Sequence, residues 1–490
     1  MPGQVFPSTD SSNDRFSGYR SPLETRNASK AMRSIFSERR KFGWWRRIWL
    51  ALAESQKELG LDITDSQLDG IRAALDDIDF EVAAEHERKL RHDVMAHVHT
   101  LGDRVPDAAG ILHLGATSQD VVCNADILIQ HEALELVAAK IARVVDRLGD
   151  FAVRHRSLPT LGFTHYQPAQ PTTVGKRATL WAQDFAIGLE EIERLRDGLQ
   201  LRGMRGATGT QASFLGLLDQ DPDRVDELER LVATSLGWDP ERTWPVCGQT
   251  YPRLADARLL AGLATVAAAV HKCCNDLRLL ANLREVEEPF EKNQIGSSAM
   301  AYKRNPMRCE RATGLARFVM NLIGNGYDTA ATQWFERTLD DSANRRLSIA
   351  EGFLALDGCL DILENVTGGL IVHEKVVEAH LAAELPFMAT EDLMLEAARR
   401  GGDRQHLHEV IRTASMEAAR RIKEEGLDND LLDRLRQTPE FASVPFEDVL
   451  VPSRFIGRAP TQVDRFVSEV IDPIRSRYSA SLQGAADLRV

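Results

Sequence analysis

Apolar residues recur along this chain mainly at intervals of three and four positions. One such stripe near the N-terminus comprises Trp45, Ile48, Trp49, Leu52 and Leu59. A second run comprises Leu134, Val137, Ile141, Val144 and Leu148. Such spacing predicts amphipathic helices that bury one face, as in helix bundles. Alternation of β-branched and polar residues, which would predict strands, is scarce.

Proline positions divide the chain into long helical intervals, because proline is poorly tolerated inside a helix. Prolines are absent from 23–105, 172–221, 253–288 and 307–385. The interval from 254 to 283 is also rich in alanine, which favours helix and allows close approach of neighbouring helices. It is therefore predicted to be a central bundle helix.

These patterns predict an all-α fold of three helical domains. The predicted units are a disordered tail at 1–18, an N-terminal domain at 19–119, a central long-helix bundle at 120–372 and a C-terminal domain at 373–490. The loop at 291–306 interrupts the bundle. Ser, Asp and Gly dominate the first residues and predict their disorder.

Composition narrows the class of protein. The 490 residues carry a formal net charge of −13, which argues against a general nucleic-acid surface. Any anionic ligand must be held by local basic residues. The polar N-terminus and the lack of an obvious bilayer-spanning apolar run predict a cytoplasmic protein. The six cysteines show no C-x-x-C pair, so we expect reduced, mostly buried thiols.

Four polar loops stand out from the helical background. RHDVMAHVH places Arg91, His92 and Asp93 at a predicted helix start, and HLGATSQD places Thr117 and Ser118 at another. Hydroxyls and free N–H groups at a helix entrance suit carboxylate or phosphate oxygens. The third loop is GFTHYQPAQPTTVGKR and the fourth is GSSAMAYKRNP.

Each of these features also has a purely structural interpretation. A Thr-Ser pair before a helix often serves only as an N-cap. His165 in the third loop could be a hydrogen-bonded loop histidine or a proton-transfer group. The His-x-His pairs, His97 with His99 and His406 with His408, suggest metal. On a helix, residues two apart face different directions, so packing or solvent roles are favoured.

The fourth loop is harder to explain by packing alone. Its small residues permit close approach to a ligand, and Lys303 and Asn305 add hydrogen-bond donors. Ser297 and Ser298 lie at the wrong spacing from Lys303 for an S-x-x-K motif, and no G-x-S-x-G surrounds them. The loop therefore predicts a mobile lid that carries a base.

The loop resembles the fingerprint of the fumarase/aspartase superfamily, and its YKRNP ending is similar to the adenylosuccinate lyase family, particularly its animal and fungal form. Seven further motifs resemble that family in the expected order: YRSPLETR, RHDVMAHVH, HLGATSQD, FTHYQPAQPTTVGKR, GATGTQASF, GQTYPR and QWFERTLDDSANRR. They cover residues 19–350 densely.

The resemblance implies a carbon–nitrogen lyase of purine nucleotide biosynthesis. Members of this family eliminate fumarate from adenylosuccinate and from succinylaminoimidazole carboxamide ribotide. The resemblance also implies a homotetramer whose core is the central bundle and whose active sites are shared between subunits. It implies no cofactor, metal, nucleic-acid or membrane partner.

The matched positions imply roles for individual residues. Ser297 would be the general base and His165 the general acid, while Lys303 and Asn305 would hold the developing aci-carboxylate. Thr117 and Ser118 would bind the succinyl carboxylate. The nucleotide phosphate and its surroundings would be bound by Arg26, Arg337, Ser342 and Arg346. The remaining matched positions in the pocket are Asn27, Arg91, His92, Asp93, Thr164, Gln249 and Arg311.

Three positions depart from the family pattern. Ala301 stands where the family usually has proline, which restores an N–H and loosens the backbone. We expect slower or less complete lid closure. Asn27 replaces a tyrosine and Lys30 a proline near the expected phosphate site.

The sequence leaves two rival interpretations of the protein's function open. A lyase of the same superfamily acting on argininosuccinate or malate would keep the Ser297 loop but lack the arginine cluster and the RHDV segment. A silent structural protein on the same fold would have no reason to retain both His165 and Ser297, and this chain has both.

Overall fold

Long helices form most of the fold, as the apolar spacing predicts. The computed structural model describes residues 18–296, 299–300, 302–484 and 488. The tail predicted to be disordered lies outside these residues except for Gly18. Ser297 and Ala301 also lie outside them, so the base and the lid substitution expected from the sequence stay predictions.

The N-terminal helices pack around a tryptophan core. Trp45 and Ile48 are fully buried and Trp49 nearly so, which confirms the first apolar stripe. A π-helical turn at Leu23–Asn27 precedes these helices, and a 3-10 turn at Pro106–Ala108 follows them. The helices are α1 (Lys30–Ile35), α2 (Glu38–Glu58), α3 (Asp65–Ala73), α4 (Phe80–Leu90) and α5 (Asp93–Arg104).

The central bundle contains the longest helices. They are α6 (Ser118–Arg154), α7 (Val174–Asp197), α8 (Ala212–Leu217), α9 (Pro222–Ser235), α10 (Leu254–Asn282), α11 (Met307–Asn321), α12 (Ile323–Ala331) and α13 (Asp340–Gly368). α6 packs on α7 and α13, and α10 packs on α7, α11 and α13. The second apolar stripe, Leu134 to Leu148 on α6, is fully buried. α10 is the predicted alanine-rich helix.

Length and composition alone would allow α10 to cross a membrane. The same test is passed by core helices, and just over half of its most apolar window is buried against the neighbouring helices. We therefore interpret α10 as the central helix of the bundle.

Buried ion pairs join α6 to α13. Lys140 Nζ lies 2.5 Å from an Asp357 oxygen and 2.6 Å from an Asp361 oxygen, and Arg143 Nε lies 2.7 Å from Glu364. Burial raises the pKa of Asp361 to about 6, since the attraction of Lys140 only partly opposes burial and Asp357 adds repulsion. Asp357 also accepts a hydrogen bond from the Ser29 N–H at 2.7 Å.

Two small antiparallel sheets interrupt the helices. One pairs β1 (Pro159–Thr164) with β2 (Gln167–Thr173), and the other pairs β3 (Val286–Glu287) with β4 (Ile371–Val372). The sequence predicted a loop at GFTHYQPAQPTTVGKR, and that prediction was wrong for its strand residues. A two-stranded hairpin has free edges, where proline's missing N–H costs no ladder bond.

The C-terminal helices form a separate apolar cluster that includes Leu393, Leu407 and Phe441. They are α14 (Glu374–Met388), α15 (Thr390–Arg399), α16 (Arg404–Arg420), α17 (Leu431–Arg436), α18 (Phe446–Val449), α19 (Ala459–Phe466) and α20 (Asp472–Arg477). Short turns join them: π-helical at Arg421–Glu425 and Val467–Ile471, and 3-10 at Pro439–Phe441 and Pro452–Arg454. α19 and α20 pack back on the bundle. The domain boundaries stay predictions.

All six cysteines are buried and free, as their spacing predicted. Burial also confirms the packing interpretation of one His-x-His pair. His97 is buried and stacks on Phe42 with ring centroids 3.7 Å apart, while His99 stacks on His86. In the described part of the chain, no group of three or more His, Cys, Asp or Glu side chains is placed to hold a metal ion.

Candidate active site

A cavity of about 1160 Å³ lies between the N-terminal helices and the start of α13. Its wall contains residues from α2, α5, α6 and α13 and from the segments before α5 and α10. Eight residues predicted from the sequence line it: Arg91, His92, Asp93, Ser118, Gln249, Arg337, Ser342 and Arg346. Motifs up to 255 positions apart in sequence therefore meet at one concave surface.

The RHD segment forms the turn between α4 and α5. Arg91 ends α4 in the left-handed conformation with a φ of 53°, and His92 caps α5 by accepting the Met95 N–H at 3.3 Å. This confirms the predicted helix start. His92 Nε2 lies 3.3 Å from Ser118 Oγ, so the first and second predicted loops are in direct contact.

Asp93 connects this turn to α13. Its Oδ2 accepts a hydrogen bond from Arg346 at 2.9 Å, and its Oδ1 accepts the Val94 N–H at 2.8 Å. Burial disfavours the carboxylate, but Lys41, the Val94 N–H and Arg346 together outweigh burial and lower the pKa of Asp93. Asp93 is therefore an ionised anchor for the Arg346 guanidinium at neutral pH.

A fully buried carboxylate, Asp120, fixes the Thr117–Ser118 entrance of α6. Asp120 Oδ2 accepts the Thr117 N–H at 2.7 Å and forms the return half of a capping box. Its other oxygen bonds Arg202 and accepts the Arg205 N–H at 2.7 Å. The N-cap interpretation of Thr117 is thus confirmed. Ser118 lines the cavity, whereas Thr117 is not among the lining residues.

The start of α13 is held by further acids, of which Asp256 and Asp341 are buried and Asp126 is half-buried. Arg337 Nη1 donates to Asp341 at 3.2 Å, and Arg345 donates to Asp126 at 2.9 Å and Asp256 at 2.6 Å. Tyr251 OH also donates to Asp256 at 2.6 Å. These contacts set the direction of two cavity-lining guanidinium groups before any ligand binds.

The described parts of the fingerprint loop lie outside the cavity lining. Asn305 Nδ2 donates to the Gly296 carbonyl at 2.8 Å, which closes the loop on itself. A Cβ on Gly296 would lie 2.2 Å from the Lys303 carbonyl oxygen, so this close approach requires glycine. The Lys303 side chain is exposed.

Arg26 and Arg311 form a second basic group. Burial, followed by the charge of Arg26 and then of Arg308, lowers the pKa of Arg311, so these guanidinium groups are near neighbours. Asn27 packs against Gly358 of α13, where an added Cβ would meet Asn27 atoms at 3.0 to 3.2 Å. Neither Arg26, Asn27 nor Arg311 lines the cavity.

His165 and Thr164 lie at the exposed tip of the β1–β2 hairpin. His165 has a φ of 53° and Tyr166 a φ of 57°, as a two-residue type I′ turn requires. Both are residues other than glycine, so the turn stores some backbone strain. Within one chain the predicted site is therefore divided among the cavity, the Arg26–Arg311 group with the loop, and the hairpin tip.

Comparisons with known proteins agree with these motifs. A family model described as "Lyase" matches residues 24–321, and one described as "Adenylosuccinate lyase C-terminus" matches 386–466. Adenylosuccinate lyase of Schizosaccharomyces pombe is 49% identical, over 94% of this chain and 97% of the relative. Its counterpart in Saccharomyces cerevisiae is also 49% identical, with coverage of 93% and 95%.

The chain belongs to the adenylosuccinate lyase family. A crystal structure of a fumarate lyase from Mesorhizobium sp. BNC1 has the same fold, with a TM-score of 0.76 and 27% identity. That match covers 92% of this chain and all of the other. The all-α prediction is confirmed, and membership of this family outweighs the rival interpretation as another lyase of the superfamily.

The sequence motifs of adenylosuccinate lyases did not reveal every residue of the cavity. Lys41 on α2 lines it, together with Glu38, Asp126 and Arg345. Glu38 and Lys41 belong to an ordinary amphipathic helix, where charged residues usually face solvent. The NRR motif was a usable signal for Arg345, because it places this residue next to the predicted Arg346.

Proposed function

We propose that the protein cleaves a carbon–nitrogen bond in two nucleotide substrates and releases fumarate from each. Adenylosuccinate would give AMP, and succinylaminoimidazole carboxamide ribotide would give the carboxamide ribotide. The observation that supports this best is 49% identity to adenylosuccinate lyases over nearly the whole chain, with matched polar motifs meeting in one cavity. Arginine forks suit the phosphate that both substrates carry.

The proposed reaction is a β-elimination. A base removes the proton from the carbon next to a succinyl carboxylate, the freed electron pair forms the double bond of fumarate, and the C–N bond breaks. Ser297 is the proposed base and His165 the proposed acid that protonates the departing nitrogen. A serine hydroxyl needs nearby positive charge and exclusion of water to act in this way. Lys303 and Asn305 would stabilise the aci-carboxylate.

Substrate binding is assigned mainly to residues that contacts within the protein already hold in place. Ser118 and Thr117 would take the succinyl carboxylate at the start of α6, where free N–H groups favour an anion. Arg337, Ser342 and Arg346 would bind on the α13 side together with Gln249. Arg26 and Arg311 would contribute from the second basic group.

We further propose that copies of the chain share active sites in a homotetramer. The separation of the cavity, the Arg26–Arg311 group and the His165 hairpin within one chain supports this proposal. Beside the cavity, Phe335 is 98% and Trp334 70% exposed, and Val246 and Leu339 are also exposed. Contiguous exposed apolar residues favour burial against a partner. The cytoplasmic location stays a prediction.

Fumarate release tests the proposal. The purified protein should release fumarate from both nucleotides, and Ser297→Ala and His165→Ala should each lower kcat by roughly 100- to 10,000-fold. His408→Ala, on the exposed face of α16, is the matched control and should retain full activity. Release from argininosuccinate or malate alone would favour the other lyases of the superfamily.

Mixing variants tests the shared site separately. If His165 and Ser297 of one site come from different copies, dissociating and reassociating the two inactive variants together should restore part of the activity. Mixtures that stay inactive although mixed tetramers form would contradict the shared arrangement while leaving the reaction intact.

A further inference from the structure

Lys41 is a cation in the cavity wall to which the family motifs assign no role. It lies on α2, with its Nζ 4.8 Å from the centroid of the Trp45 ring and 5.1 Å from that of Phe42. The aromatic faces attract the ammonium but provide no hydrogen-bond acceptor oxygen. Among the described residues, no carboxylate is close enough to form a direct ion pair with Lys41, and its charged neighbours act at longer range.

The arginines around it are in a different situation. Arg346 bonds Asp93, Arg337 bonds Asp341, and Arg345 bonds two acids. Lys41 is half-buried, as Arg337 is, but among the described residues its ammonium contacts aromatic rings and pairs with no acid. A desolvated ammonium without a partner oxygen is an incomplete interaction, since buried charges are normally paired and hydrogen-bonded.

The charges that face Lys41 come from every helix around it. Glu38 is on the same helix, Asp93 on α5, Asp126 on α6 and Arg346 on α13. His97 of α5 lies behind the Phe42 ring, and burial, followed by the charges of Arg46 and Lys41, lowers the pKa of His97 to about 4. His97 is therefore neutral across the range in which lyases are assayed. Lys41 and Arg346 repel each other across the cavity wall.

We propose that Lys41 binds an oxyanion of the substrate, which lies between its ammonium and the Arg346 guanidinium. This inference rests on the proposed function, because the substrates there carry phosphate and carboxylate oxyanions. Either group would satisfy the ammonium and also remove the repulsion between the two cations. Lys41 would thus be a substrate-binding residue contributed by α2.

The proposal has a pH signature that a structural role lacks. Burial and the neighbouring Arg346 lower the pKa of Lys41 in the free protein, despite Asp126, Asp93 and Glu38. A bound oxyanion favours the charged ammonium and raises that pKa again. Because binding is then coupled to proton uptake, affinity should fall as pH rises through the pKa of Lys41 in the free protein.

Equilibrium binding to the full-length protein tests this without relying on turnover. AMP, adenosine and fumarate are titrated separately into the parent, Lys41→Met and Lys41→Arg. Lys57→Met is the control, because Lys57 is on the same helix but pairs with Asp65 at the surface. Lys41→Met should weaken the relevant ligand by roughly 10- to 100-fold, as expected for a charge-assisted hydrogen bond.

The ligands identify which oxyanion is bound. Loss of AMP affinity with adenosine unchanged assigns Lys41 to phosphate, and loss of fumarate affinity assigns it to a carboxylate. Lys41→Arg should retain most of the affinity and move the alkaline loss to higher pH, because guanidinium stays charged.

Two results would overturn the inference. One is a folded Lys41→Met protein that binds all three ligands like the parent while the parent releases fumarate. The other is equal weakening by Met and Arg with an unchanged pH profile, which would indicate a packing role. If the parent neither binds these ligands nor releases fumarate, the proposed function fails first and the Lys41 inference fails with it.

Discussion

Asp120→Asn is predicted to destabilise the protein severely, although it only replaces one carboxylate oxygen by an amide NH₂ group. Asp120 and Arg202 are both fully buried and form an ion pair. The same carboxylate accepts N–H groups from Thr117 at 2.7 Å, Arg205 at 2.7 Å and Gly206 at 3.1 Å. Each of these partners donates a hydrogen bond to Asp120, so both of its carboxylate oxygens must act as acceptors.

The asparagine amide cannot reproduce this arrangement. If the amide oxygen of the new asparagine accepts from Arg202, its NH₂ group points at the Thr117 N–H. Two hydrogen-bond donors then face each other and neither has an acceptor. An unsatisfied buried N–H costs about 1–3 kcal/mol, and a buried guanidinium left without its counter-charge costs about 3–5 kcal/mol. Because these costs overlap, we expect a total loss of about 3–5 kcal/mol.

Urea unfolding measures this loss. Asp62→Asn is the control, because Asp62 is exposed and should shift the free energy of unfolding by less than about 0.5 kcal/mol. Adding Arg202→Gln to Asp120→Asn should recover part of the loss, which a double-mutant cycle reports as coupling. An Asp120→Asn protein as stable as the Asp62→Asn control would refute the reasoning, and so would the absence of coupling.

Three further predictions concern α13 and the buried thiols. Gly358→Ala should raise KM, because the added Cβ would displace Asn27, which is next to Arg26. Gly352→Ala is the control, since its added Cβ would meet neighbouring atoms only at 3.4 to 3.6 Å and should leave KM unchanged. Steady-state kinetics measures both values. Since the pKa of Asp361 rises from 3.8 to about 6 on folding, the folded state binds the extra proton. Thermal melts should therefore show the parent gaining stability relative to Asp361→Asn as pH falls from about 6 to about 4. Thiol reagents should label no cysteine in the folded protein and all six in urea, and rapid labelling without denaturant would contradict their burial.

Local pattern was enough to predict the long helices. The Trp45 and Leu134 stripes and the alanine-rich α10 each bury a face that is visible within a few turns of sequence. The hairpin at Pro159–Thr173 was not predictable in this way. Its pairing depends on register across strands, and its prolines, which normally predict a loop, occupy positions with no ladder bond to lose.

The site was predictable to the extent that motifs mark it. Asp93 bonds Arg346 across 253 positions of sequence, and Arg91 and His92 line the same cavity, as the motifs imply. Spacing along the chain gave no information about Lys41, because its helix has an ordinary polar face and its role depends on tertiary packing. The placement of His165 outside the cavity was also not predictable, because spacing along the chain does not give distances in the fold.

The acidic balance of the chain and its proposed anionic substrates are compatible for a specific structural reason. Many acidic side chains pair with arginines three or four positions away on exposed helices, as Glu191 does with Arg194 and Glu409 with Arg412. Such pairs contribute little field at a distance, because solvent and salt screen them. In the cavity, by contrast, acids hold the guanidinium groups of Arg337, Arg345 and Arg346 in fixed directions. A substrate anion at the proposed site would therefore meet oriented donors and the Lys41 ammonium, with which no described carboxylate forms a direct ion pair, so net charge is a poor guide to what this protein binds.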